Sequence, residues 1–348
     1  MAFQIGRIYA VGVWLFRIMG KIKMKNEFTY YDDKILEIRF SNKIEFITSN
    51  FLSDILIETS SKEIKQLILD LSDTRFITLP AAIFILCFSS FYKKFNNPYI
   101  DTRIIINSES IIAYFINIGF FTQMNVYANL LVSKDILERE NILKERKYVE
   151  KKQSTVSSII FPLSTIPESL GERYFEDYSR TFVNRFNEFF FELCNTPNFG
   201  FSNDINESQE LFGALHENIK NVYDHSKSLG FGAIHSSINQ KGTIIAFFDF
   251  GKGIINTVFE SGKYNNERER INAILWALEE GNSCQGTNGN QGLGFTIIKN
   301  FVNKKNGILT IRTDKYLINL KGGEFLPPKD VGFFPGTQIV IYVPINIH

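Results

Sequence analysis

Histidine and cysteine are scarce in this chain, at 4 and 3 of its 348 residues. Cys87, Cys194 and Cys284 stand singly, with no CxxC pair. That pattern excludes a disulfide framework, leaves a zinc site without ligands and fits a reducing cytoplasm. Charge of one sign is lacking too. The 38 Lys and Arg face 37 Asp and Glu, a net of +1, so no global field draws nucleic acid or an anionic membrane. A transmembrane segment is not expected either. The run Tyr9 to Phe16 (YAVGVWLF) is far shorter than the roughly 20 apolar residues a spanning helix takes. It is flanked by Arg7 and Arg17 and followed by no clear cleavage site, so residues 1–29 stay unassigned: an interfacial or partner-binding segment, or in part residues ahead of a start at Met24. Neither a GxxxxGK[ST] loop nor a GxGxxG fingerprint occurs, which removes the P-loop and dinucleotide-binding readings.

What is abundant is aromatic. With 34 Phe and 14 Tyr in a 44% hydrophobic chain, aromatic-rich cores are expected, and the length allows two domains. The class expected is α/β, or α+β. ILEIRF (35–40) reads as a strand, about 50–59 as a helix, and LILDL as a buried strand ending in polar turn residues. LPAAIFILCFSSFYKKF follows as a helix with Pro80 in its first turn. TRIIIN (102–107) is a strand, and 108–120 a helix closed by Gly119. This alternation defines a small α/β domain at 30–132.

The stretch LILDLSDTRFITLPAAIFIL, with RIIIN and the helix ending IGF, resembles a STAS domain, the fold of anti-sigma-factor antagonists. Antagonists of that family carry an Asp-Ser-Ser/Thr-Gly turn; here Thr78-Leu79-Pro80-Ala81 stands in its place. The phosphorylatable hydroxyl is lost at Leu79 or Pro80, with Thr78 beside it. Residues 133–200 read as a helical linker and possible oligomerisation region. A charged stretch precedes a helix at 172–194 whose Tyr174, Tyr178, Phe182, Phe186, Phe189 and Phe190 form a core or helix–helix stripe.

Residues 201–348 hold the chemistry. LFGALHENIKNVYDHS (211–226) reads as one helix with Phe212, Leu215, Ile219 and Val222 on one face. Glu217, Asn221 and Asp224 lie about 160° away, so one stripe looks into a core and the other into a cleft. A carboxylate can deprotonate an attacking group, and a carboxamide one turn on can offer its carbonyl to Mg²⁺. A solvated polar face is the plainer alternative. Asp249-Phe-Gly251-Lys-Gly253 then ends a strand, where an Asp can accept from an exocyclic amine and glycines let backbone approach a base. Gly286-Thr-Asn-Gly289-Asn-Gln-Gly292-Leu293-Gly294 leads into a helix, whose free N–H groups suit phosphates. Pro335-Gly336-Thr337 opens the last strand. His225, beside Asp224, is either a neighbour of the metal site or a structural histidine.

In this order the four pieces resemble the nucleotide-binding domain of the GHKL superfamily, over about 140 residues. The resemblance implies a Bergerat-type α/β sandwich with a mixed sheet, binding ATP with Mg²⁺. It implies Glu217 as catalytic base, Asn221 on Mg²⁺, Asp249 on adenine with Gly251, Gly253 and Thr337 around it, and Gly289, Gly292, Leu293 and Gly294 on the phosphates. Residues 254–292 would form a mobile lid, with AILWALEEGNSC (273–284) as its helix. A histidine kinase is excluded because 172–194 contains no acceptor histidine. The expected function is a nucleotide-dependent switch or slow ATPase acting on protein partners, with homodimerisation possible. A serine/threonine kinase of the anti-sigma type and a non-hydrolysing sensor are the alternatives.

Overall fold

The apolar run TIIAFFDF gives a strand that needs cover on both faces. In the computed structural model the described residues are 27–31, 34–44, 49–59, 62–128, 130–131, 158–166, 172–195, 205–237, 241–264, 266–282 and 294–344. Glu27–Tyr31 (β1) pairs antiparallel with Ile35–Arg39 (β2). From β2 the sheet continues in parallel through Gln66–Leu71 (β4), Asp101–Ile106 (β6) and Leu130–Leu131 (β7). The short Lys43–Ile44 (β3) and Phe76–Ile77 (β5) pair separately. Around this mixed sheet lie Ser49–Thr59 (α1), Leu79–Phe95 (α2), Glu109–Asn117 (α3) and Phe120–Ala128 (α4). Thr78 caps α2: its Oγ1 accepts from the Ala81 N–H at 3.4 Å, and Pro80 occupies the first turn. Gly119 ends α3 in the left-handed region (φ 72°), but the chain re-enters a helix at Phe120, beyond where the sequence pattern stopped.

The second sheet holds Ser158–Ile166 (β8), Gly230–Ser237 (β9), Gly242–Asp249 (β10), Ile308–Lys321 (β11), Glu324–Phe325 (β12) and Lys329–Pro344 (β13). Its order is β12-β11-β13-β10-β9-β8. Every described pairing is antiparallel, where a mixed sheet was expected. The reason is topological. β10 and β11 run the same way, but β13 inserts between them and pairs antiparallel with both. Residues 158–166 and 172–195, read from sequence as part of a connecting region, supply this sheet with an edge strand and a packed helix, Glu172–Asn195 (α5). On α5, Phe182, Phe186, Phe189 and Phe190 are buried in the chain's own core, with Phe186 5.4 Å from Phe212. The side chains of Tyr174 and Tyr178, and the charged stretch 133–154, lie outside the described residues.

Side-chain alternation divides the second sheet between two cores. On β10, Ile245 and Phe247 join a core with Ile205–Asn221 (α6), Gly253–Glu260 (α7), Arg270–Leu278 (α8) and Gly294–Lys304 (α9). Ala246, Phe248 and then Phe250 join the core built by α1, α2 and the first sheet. The order of layers is therefore sheet, helices, sheet, helices, an α+β architecture. Among the described residues no helix is long and apolar enough to cross a membrane.

His235, on β9, points into the seam between the first sheet's helices and the second sheet. Its ring lies 5.5 Å from that of Tyr114, and its Nδ1 has no hydrogen-bond partner among the described residues. Burial lowers its pKa to about 4. Between pH 6.5 and about 4 the unfolded chain takes up a proton that the folded chain refuses. His235 therefore contributes stability that is full above pH 6.5 and falls, by about 3 kcal/mol in all, as pH drops towards 4. In urea titrations, His235→Phe should lose less stability than the parent between pH 7.5 and pH 4.5. Equal losses in the two proteins would refute this role.

Candidate functional site

The sequence pattern predicts one helix from 211 to 226, and the chain departs from it at a single point. α6 ends at Asn221 and continues as one π-helical turn, Val222–Ser226, stopped by Lys227 in the left-handed region (φ 51°). An i→i+5 turn carries more residues per revolution. The face occupied by Asn221 is accordingly met again by His225 and Ser226, which line the pocket, and not by Asp224. The apolar stripe behaves as predicted: Leu215, Ile219 and Val222 are buried and Phe212 packs against the same core.

The pocket lies between α6 and the end of β10. Asp249 is the last residue of β10 on the face that carries Ile245 and Phe247, and the register sets it opposite Thr337 on β13. Both line the pocket, with Phe247 and Ile339 beside them. The Asp249 carboxylate is buried, and burial pushes its pKa up to about 7 against the opposing pull of the Gly251 and Thr337 backbone N–H groups. The Gly251 N–H donates to Oδ1 at 2.8 Å.

Asn221 lines the same pocket, and Glu217, one turn earlier on α6, stands beside the lining residue Gly294. Glu217 Oε2 and Asn221 Nδ2 are buried, and neither has a hydrogen-bond partner among the described residues. A half-turn of the carboxamide exchanges Nδ2 with Oδ1, so that position offers either a donor or an acceptor. Burial raises the Glu217 pKa, with Lys220 opposing it and Asp224 adding to it. Burial likewise lowers the pKa of His225, which favours the neutral imidazole. Among the described residues no cluster of three or more His, Cys, Asp or Glu forms a metal cage. A hard cation here would rest on one or two protein oxygens and on the ligand's own, which is how Mg²⁺ is commonly held.

The glycines divide into two kinds. A Cβ on Gly251 would stand 1.9 Å from the Ser226 carbonyl, which also accepts the Lys252 N–H at 2.9 Å. Gly251 therefore docks the end of the π-turn onto the β10 turn, where sequence reasoning reserved the space for a base. Gly294 is different: its Cβ would meet Glu217 Oε2 at 2.8 Å, so this glycine borders the unpartnered carboxylate. Gly253 opens α7 and lines the pocket. Gly289, Gly292 and Leu293 lie outside the described residues. Of the span expected as a lid, α7 buries Ile255 and Val258, and its Ile254 and Val258 also line the pocket. Trp276 and Ala277 of α8, and Asn282 after it, line the pocket.

Sequence reasoning missed Thr313. Its Oγ1 accepts from the Ile254 N–H at 3.0 Å and donates to the Gly336 carbonyl at 3.0 Å, fastening the start of α7 to the start of the final strand pairing. The only signal was a polar residue at an inward position of the strand ILTIRTD. Phe295 of α9 and Thr257 of α7 also line the pocket, and neither stands in a motif.

No protein-family model matches the chain, and neither does any curated protein.

Gly251→Ala and Gly294→Ala should differ in kind. The first drives a methyl into backbone and should cost about 3 kcal/mol or more. The second meets only the end of a side chain and should cost under about 1 kcal/mol while displacing Glu217. Denaturant titration of both variants decides, and equal costs would remove the distinction.

Proposed function

We propose that this pocket binds an adenine nucleotide with Mg²⁺, in a GHKL-type module joined to a STAS-like domain. We propose further that the chain works as a slow ATPase whose nucleotide state controls protein partners. The observation that carries the reading is a pair of features, one in the pocket and one at its border. One is a buried carboxylate at a strand end, Asp249; the other is a pair of unpartnered buried polar atoms on Glu217 and Asn221. Buried polar atoms without partners cost stability, and such atoms facing one cleft are expected where a ligand completes their hydrogen bonds.

The roles follow from the chemistry of each group. Asp249, once ionised, accepts from an exocyclic amine, while Phe247, Ile339, Ile254 and Val258 give an aromatic base its apolar walls. The Thr337 hydroxyl supplies a second polar contact beside Asp249. Asn221 would hold the cation through its carbonyl oxygen, and Mg²⁺ when bound would neutralise charge on the phosphates. Glu217, its pKa raised by burial, is a stronger base than an exposed carboxylate. It would orient an attacking water and take its proton. His225, kept neutral by burial, offers a hydrogen bond without adding positive charge.

Incubation with Mg²⁺ and γ-labelled ATP tests the reading. Label released as free phosphate, and lost in Glu217→Ala with binding retained, is the expected result. Asp249→Asn should weaken nucleotide binding at least tenfold; unchanged affinity would overturn the assignment of the pocket. Label retained on protein would replace the switch by a protein kinase.

The pH dependence has a definite sign. Because the Asp249 proton is held up to about pH 7 and an amine donor favours the ionised form, nucleotide binding should release a proton at pH 6 and almost none at pH 8. Affinity should accordingly rise with pH over that range. Calorimetry in two buffers of different ionisation enthalpy measures the proton count directly.

A further inference from the structure

The turn that carries Asp249 is gripped from behind by the other half of the chain. Phe250 follows Asp249 and leaves the sheet on the opposite face, where α2 lies. Its ring centroid stands 5.6 Å from Phe84 and 5.5 Å from Phe91, both edge to face, and 5.1 Å from Phe334. The Arg312 guanidinium lies 4.6 Å from the centre of the Phe334 ring. Thr313, the next residue, emerges on the pocket face and holds both the Ile254 N–H and the Gly336 carbonyl. The Cys87 thiol of α2 reaches the carbonyl of Phe248, one residue before Asp249, at 3.7 Å.

We infer that Phe84 and Phe91 are positioning residues for the pocket: the α2 ring cluster fixes Phe250 and with it the backbone of the Asp249–Gly253 turn. Edge-to-face packing is directional, so replacing a ring by an aliphatic side chain of similar polarity removes an orientation as well as contact area. Phe250 shares its peptide units with Asp249 and Gly251. Any shift of the Phe250 backbone that loss of these ring contacts allows is therefore passed to the two residues whose hydrogen bond at 2.8 Å shapes the turn. Thr313 delivers the same constraint from the neighbouring strands. The first sheet and its helices then act on the pocket without touching its contents, and a partner that shifts α2 would alter it. The affinity part of this inference rests on the nucleotide reading above; the part concerning the turn does not.

Phe91 is only partly buried, so Phe91→Leu leaves the fold intact, and Phe84→Leu serves as a second variant. Ile112→Val is the control, buried in the same core on α3 without ring contact to Phe250. Circular dichroism establishes that each variant is folded. Amide exchange without nucleotide should quicken at least tenfold at residues 249–253 in Phe91→Leu and Phe84→Leu, and stay within twofold in the control. Titration with a fluorescent ATP analogue should show affinity at least fivefold weaker in both Leu variants. Phe91→Tyr, which restores the ring, should return it to within twofold.

Unchanged exchange at 249–253 overturns the inference and leaves the nucleotide reading standing. Quickened exchange with unchanged affinity overturns the coupling to binding. If the parent protein binds no nucleotide while exchange still quickens, the nucleotide reading falls and the positioning of the turn stands.

Discussion

A sheet covered on both faces cannot slip in register, because a shift by one residue would exchange its two cores. That constraint governs this chain. The second sheet sends Ile245 and Phe247 one way and Ala246 and Phe248 the other, and each set is locked into a separate cluster. With the register fixed, Asp249 has no choice of face or of neighbour. It must end β10 opposite Thr337 and look towards α6. Residues of α1 and α2, far away in sequence, take part in this by closing the second face. A domain with one solvated sheet face would lack that restraint.

Three carboxylates, Asp70 and Asp249 buried and Glu217 half-buried, differ in how the fold compensates them. Asp70, at the end of β4, is buried, which would raise its pKa. The Ser72 hydroxyl and N–H and the Arg39 guanidinium donate to it and hold the pKa below the usual carboxylate value. Its hydrogen bonds are spent within the fold. Glu217 has no such donors, and burial moves its pKa upward. Asp249 receives only backbone N–H groups and is likewise raised. Desolvation without internal compensation costs stability. Glu217 and Asn221 carry that cost side by side on α6, while Asp249 meets it in part through the Gly251 and Thr337 N–H groups.

Much of this was legible in the residues, and the failures have physical causes. Apolar runs gave the central strands, while Pro80 and Gly119 marked helix boundaries that the backbone respects. β8 escaped because Pro162 interrupts it, and Pro within a run argues against a strand. It is tolerated there since β8 is an edge strand whose register shifts between Phe161 and Ser164. The far ends of β11 and β13 escaped because charged and glycine-containing stretches such as KDVGFF carry no strand pattern, yet pairing across Tyr316 and Asp330 extends both strands. The π-turn is invisible to periodicity, since the sequence VYDHS suits an α-helix as well. Its effect was to bring His225 where Asp224 was expected.

The glycines carry a further lesson about motifs. Asp249-Phe-Gly251 suggested a turn opened for a ligand, but the missing Cβ of Gly251 is filled by the Ser226 carbonyl. The glycine is required because two backbones meet there, the end of the π-turn and the end of β10. That meeting ties the segment bearing Asn221 and His225 to the segment bearing Asp249. A motif glycine can thus be indispensable to a site without facing what the site binds. Its role is to let the helix and the strand end approach closely enough that Asn221, His225 and Asp249 line one pocket. The same reasoning makes Phe250 more than filler. It occupies the one position in that turn where the packing of the first half of the chain can act on the second.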